Sequence, residues 1–173
     1  MTTTVVFARG TGHVLAALDA AGAGPLALAD LIGTTLSVRP AADLPGGGAA
    51  PPEPVPVPDR LLDAVPVLPD PNILTDPHGY AVHGGTARKI TLEWGPAPVE
   101  SDGGDVVLTL PTPVAPDAAA LIIVVREGTA PIEFEEKAAG GKVTVHPPVS
   151  PGSYTMLSLV EGLPIRADVV EIR

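Results

Sequence analysis

The chain has 173 residues, 45% of them hydrophobic but only 3% aromatic and 17% charged, with a formal net charge of −10. That length holds one full domain with an appendage and leaves no room for two large independent ones. Residues 1–85 carry three basic and eight acidic side chains and residues 86–173 seven and twelve, so both halves repel a polyanion and nucleic-acid binding is not expected; the absence of cysteine removes disulfides and thiolate metal sites.

Taken in chain order, residues 4–8 are β-branched and aromatic and predict a strand, followed by Arg9-Gly10-Thr11-Gly12 and then the apolar run 13–18. Glycine supplies the positive φ of a tight turn, so the simplest reading is a β-hairpin. A second reading makes 13–21 a short helix. Strand, glycine turn and helix would then resemble the start of a dinucleotide-binding unit, with Gly10 and Gly12 as its first two glycines. Leu15 occupies the third glycine position, however, and proline arrives before a βαβ unit can close. Residues 26–31 and 34–39 read as two further short strands, or a turn of helix and a strand.

A proline-dense stretch spans residues 40–77 and contains the run Gly46-Gly47-Gly48. Proline fixes φ and removes a ladder donor, so this stretch is neither a continuous helix nor a central strand. The expected organisation is an N-terminal β element (1–45), a Pro/Gly-rich connector (46–86) and a β-sandwich (87–173). Within the connector, Pro51-Pro52-Glu53-Pro54-Val55-Pro56-Val57-Pro58 favours an extended polyproline II strap at about 3.1 Å per residue. The alternatives are a solvated linker and a strap whose Val55 and Val57 lie against a β surface of this chain or of a neighbour. Residues 60–65 suggest one turn of helix, Asp70-Pro71-Asn72 and Asp76-Pro77-His78-Gly79 suggest turns, and 80–83 a short strand.

Beyond residue 87 the pattern is period two. Ile90, Leu92 and Trp94 share one face while Lys89, Thr91 and Glu93 share the other. Val106, Leu108 and Leu110 repeat this, as do Ile132 and Phe134, and Val143 and Val145. Leu121-Ile122-Ile123-Val124-Val125 has no polar face, so it needs cover on both sides, from the connector or from a partner. Residues 154–160 and 165–172 close the series around the turn Glu161-Gly162-Leu163-Pro164. Seven strands with Gly/Pro turns between them predict an all-β protein with an antiparallel β-sandwich. In strand count, and in Pro151-Gly152-Ser153-Tyr154 leading into a late strand, residues 87–173 resemble immunoglobulin-like and fibronectin-type modules. The likeness is architectural, and such a fold hosts many unrelated functions.

Chemistry is sparsely signalled. His78 and His83, with Asp76 nearby, are the metal-ligand candidates, but a zinc site needs three or four convergent ligands and the competing reading is a surface turn. Asp102-Gly103-Gly104-Asp105 lacks the alternating acids and distal glutamate of a calcium loop and reads as a hairpin turn. Glu133, Glu135 and Glu136 form a solvated edge or meet a basic partner surface. No serine sits in a nucleophile elbow. No cofactor is expected.

These readings point to a non-enzymatic structural subunit that self-associates or docks into a larger bacterial assembly, of the kind found in phage-tail-like particles, through β edges and an ordered proline-rich arm. Val55, Val57, Ile122 and Val124 are its expected interface residues. The low charge, below the roughly 25% of ordinary domains, favours covered surface. Two alternatives stand beside it: a monomeric protein- or ligand-binding β module, and a metal-dependent enzyme using the His78/His83 loop. With no basic, apolar leader at residue 1 and no long apolar run, the expected location is the cytoplasm, or a particle later released from it, without membrane insertion.

Overall fold

A strand with two apolar faces folds only where something covers both, and here the cover comes from the same chain. The computed structural model describes residues 2–20, 27–39, 54–96, 98–102 and 104–173 and is all-β. In order, the chain forms β1 (Thr2–Ala8), β2 (Val14–Ala20), the short helix α1 (Leu28–Ile32), β3 (Thr35–Val38), β4 (Val55–Pro58), β5 (Leu62–Val67) and a second short helix, α2 (Pro71–Thr75). There follow β6 (Tyr80–His83), β7 (Thr86–Lys89), β8 (Val99–Asp102), β9 (Asp105–Thr109), β10 (Ala119–Val125), β11 (Ile132–Lys137), β12 (Lys142–Val145), β13 (Gly152–Val160) and β14 (Arg166–Ile172). All pairings are antiparallel: β2-β1-β5, β11-β10-β13-β14 and β12-β9-β8 form the larger sheets, with β3-β4 and β6-β7 as two-stranded ribbons.

Side-chain alternation sorts these sheets into layers. On β10, Ile122 and Val124 enter a core shared with Val106, Leu108, Val143 and Val145 of the β12-β9-β8 sheet. Leu121, Ile123 and Val125 point the other way, into a second core with Val6, Val38, Val55, Val57 and Leu62. A third core lies on the far side of β1, where Val5 meets Val14, Ile73, Tyr80 and Val82. Full burial of each Val, Leu or Ile contributes about 1.5–3 kcal/mol, so the middle core binds the N-terminal unit to the sandwich along most of one sheet. Val55, Val57, Ile122 and Val124, the expected interface residues, are all buried inside the chain. They are core residues, because the covering surface that their apolar pattern requires is intramolecular.

The strap resolves into structure for a reason readable in its Val-Pro alternation. Val55 and Val57 fall on one register, pair with Val38 and Leu36, and are fully buried, while Pro56 and Pro58 face Ser37 and Thr35. The connector boundary moves accordingly. β5 pairs with β1 throughout its length and β6-β7 caps the same unit through the His13 to Ala81 bridge, so residues 54–89 belong to the N-terminal unit. Residues 40–53, including Gly46–Gly48 and the first prolines of the strap, lie outside the described residues.

Val14–Ala20 form a strand paired with β1, so the N-terminal element is a hairpin and the nucleotide-binding start is not built. Its turn depends on Gly12, whose φ is 77° and whose carbonyl accepts from the Val82 amide at 2.7 Å. A β-bulge between Val6 and Phe7 sets Leu15 opposite no partner and turns it into the middle core. Of the two short elements expected over 26–31 and 34–39, Leu26 lies outside the described residues and the rest give the helix-plus-strand alternative, α1 and β3. The expected strand at 89–94 is absent: Ile90 to Trp94 is irregular, although Leu92 and Trp94 still pack on the sandwich core. The seventh sandwich strand is β8, which pairs with β9 in a hairpin that sets Asp102 opposite Asp105. Residues 60–65 are a 3-10 turn over Asp59–Leu61 followed by β5.

Candidate functional site

The three candidates of the histidine loop differ in exposure. Asp76 and His83 are exposed and His78 is half-buried. Among the described residues no group of three His, Asp or Glu side chains converges as a metal would need. Burial lowers the His78 pKa, opposed by the Leu15 carbonyl and the Asp76 charge beside it. A third imidazole, His13 from a separate segment, has its charged form disfavoured by both His83 and His78.

His13 is itself a joint between the two halves. Its ring is fully buried, with Nε2 2.6 Å from the Leu163 carbonyl oxygen in the β13–β14 turn and Nδ1 2.9 Å from Thr11 Oγ1. A carbonyl only accepts, so Nε2 carries the proton and Nδ1 accepts from the Thr11 hydroxyl. Desolvation lowers its pKa from 6.5 to about 4, with the Leu163 carbonyl opposing and His83 and His78 adding to the fall.

The acidic edge of β11 meets an intramolecular base. Glu133 pairs with Arg60, next to β5, while Glu135, Glu136 and Lys137 remain exposed. Arg9 donates through Nε to the Leu62 carbonyl at 2.8 Å. Both arginines line a cleft of about 600 Å³ with Glu135, Glu136 and Lys137, an opening of mixed charge that selects no ligand class.

β14 carries an ion pair on its core-facing register. Arg166 donates from Nε and Nη2 to the two carboxylate oxygens of Asp168 at 2.8 and 2.7 Å, and the residues are 5% and 6% exposed. The guanidinium lies 5.9 Å from the centre of the Trp94 ring, which is fixed by donation from Nε1 to the Pro164 carbonyl at 2.8 Å. Burial raises the Asp168 pKa, with Arg166 opposing. Opposite Arg166 across the ladder, the buried Ser158 hydroxyl makes no hydrogen bond. Sequence reading missed this pair; the signal was two opposite charges two residues apart in an otherwise apolar register. Inward-pointing charges on an edge strand oppose the addition of a foreign strand. β14 is thereby guarded, as β11 is by its glutamates.

The N-terminal unit is less protected. Of the four large apolar side chains exposed among the described residues, Leu18, Leu68 and Leu74 lie on it, at 42%, 86% and 39%, and Val169 lies on β14 at 45%. Leu68 stands beside a groove of about 510 Å³ lined by Val67, Ile73, Tyr80, Ala87 and Asp70. Asp70 caps α2 by accepting from the Asn72 amide at 2.9 Å and also accepts from the Tyr80 hydroxyl at 3.0 Å. These bonds, the Asn72 amide first, hold its carboxyl below its ordinary pKa, so the groove combines apolar walls with one fixed negative charge.

No protein-family model, curated protein or solved structure matches the chain. Among the described residues no helix is long and apolar enough to cross a membrane.

Proposed function

We propose that the chain is a non-enzymatic structural subunit that docks into a larger assembly through the outer face of its N-terminal unit. One observation carries this reading: of the four large apolar side chains exposed among the described residues three belong to that unit, with Leu68 just before α2 and Leu74 within it, while the β11 and β14 edges of the sandwich carry charge. The sandwich serves as the rigid body. Its strand order, β12-β9-β8 facing β11-β10-β13-β14, supports an immunoglobulin-like or fibronectin-type arrangement. So does the Tyr154 hydroxyl, which donates to the Ser150 carbonyl at 2.7 Å at the entry to β13, as the tyrosine corner of such modules does. An assembly partner inside a bacterial particle fits this plan.

The test is sedimentation velocity over a wide concentration range, with Leu68→Glu beside the parent. Concentration-dependent association that Leu68→Glu abolishes, with unchanged circular dichroism, supports the proposal. A parent that stays monomeric at every concentration removes self-association. The second reading, a monomeric binding module, then takes its place, and the internal cover of Leu121, Ile123 and Val125 favours it.

A further inference from the structure

Among the described residues the two halves meet through the apolar middle core and two polar contacts, the Arg60 to Glu133 ion pair and the His13 to Leu163 hydrogen bond. Only the second is fully buried. The neutral His13 ring is satisfied at both nitrogens, and a proton added to Nδ1 places a whole charge in a site without solvent. The Thr11 hydroxyl must then reverse from donor to acceptor. The titratable groups that face His13 are His83 and His78, with Asp76 beside His78. Both histidines disfavour a charge on His13. Glu161, in the turn that carries Leu163, is 3.4 Å from the Ala119 amide, and Arg9, in the His13 hairpin, is turned to Leu62.

We infer that His13 is an acid-released latch: its protonation detaches the N-terminal unit from the sandwich and uncovers the apolar face formed by Leu121, Ile123, Leu157 and Leu159. Near neutral pH the ring is uncharged and the latch is closed. The sandwich keeps its own core on the opposite face of the same sheet, so the halves part before the sandwich unfolds.

The experiment follows amide exchange in the full chain as pH is lowered from 7 to below 4, with Trp94 emission reporting on the sandwich. The expected result is loss of protection in β1, β2 and β5 while β9 and β12 stay protected, together with binding of an apolar dye. His13→Gln, whose amide supplies the same donor to Leu163 and an acceptor to Thr11 without titrating, is expected to shift the midpoint down by roughly one pH unit or more. Glu133→Gln, which removes the Arg60 to Glu133 ion pair, is expected to leave the transition in place. Simultaneous loss of protection in every sheet would overturn the inference, as would a His13→Gln transition at the parent's pH. Should His13→Gln fail to fold, an NMR titration of His13 in the parent decides: a ring that protonates near 6.5 with the halves still joined overturns the latch.

Discussion

Replacing Asp168 by alanine removes both acceptors of the Arg166 guanidinium, a side chain only 6% exposed, and leaves its charge inside the sandwich edge. Breaking a buried pair from one side costs about 3–5 kcal/mol. A cleft of about 380 Å³ opens against the pair between β8 and β14 and admits water to part of the guanidinium, which places this case at the lower end, about 3 kcal/mol. Replacing both partners, Arg166→Met with Asp168→Leu, leaves no stranded charge. The loss of the contact with Trp94 costs about 0.5–1 kcal/mol, so the double variant should match the parent or exceed it by about 1–2 kcal/mol. Urea unfolding followed by far-UV circular dichroism measures all three, independently of changes in Trp94 emission. The reasoning fails if Asp168→Ala stays within about 1 kcal/mol of the parent, or if the double variant is as weak as the single one. The double variant also separates stability from protection. If the pair guards the β14 edge, that protein is at least as stable as the parent and yet self-associates on a sizing column.

Three further outcomes are expected. Ile122→Ala and Ile123→Ala should each cost about 2–5 kcal/mol in chemical denaturation, because neighbouring residues of one strand fill two different cores; a cost below about 1 kcal/mol for Ile123→Ala would mean that the N-terminal unit does not cover the sheet. Gly12→Ala should cost about 2–4 kcal/mol in the same assay, since the backbone sits at φ 77° and the added methyl carbon would lie 2.5 Å from the Val82 carbonyl oxygen. For His13 the folded pKa is depressed, so the unfolded chain binds more protons between pH 6.5 and about 4 and stability falls as pH falls through that window. At ~1.4 kcal/mol per pH unit the loss is about 3 kcal/mol below the folded value, measured as the difference between the parent and His13→Gln from pH 7 to 4.

β9 and β12 were legible because each buries a single alternating face, as in Val106, Leu108 and Leu110 or Val143 and Val145. Periodicity reports cover and not its source, so the two apolar faces of β10 were read correctly as covered but left open between this chain and a neighbour. The strand expected at 89–94 shows the same limit from another side: Leu92 and Trp94 keep their alternation against the core without a partner for their backbone. β8 was missed because Val99-Glu100-Ser101-Asp102 carries little apolar signal and is held by its ladder to β9. At the candidate sites, His13 was invisible as a participant because Leu163, its counterpart, lies far away in sequence, whereas the Arg166 and Asp168 pair is local and only the contact of Arg166 with Trp94 needed the fold. The exposure of Leu68 likewise depends on which neighbours the groove leaves it.

The Val-Pro-Val-Pro run of β4 bears on assembly. Successive amides of a strand point to opposite sides, so with proline at 56 and 58 every donor that β4 owns, Val55 and Val57, is directed to β3. Its other margin offers oxygen atoms alone. A wandering strand from a crowded neighbour finds no hydrogen there to grip, so at this margin any joining of subunits is left to side chains.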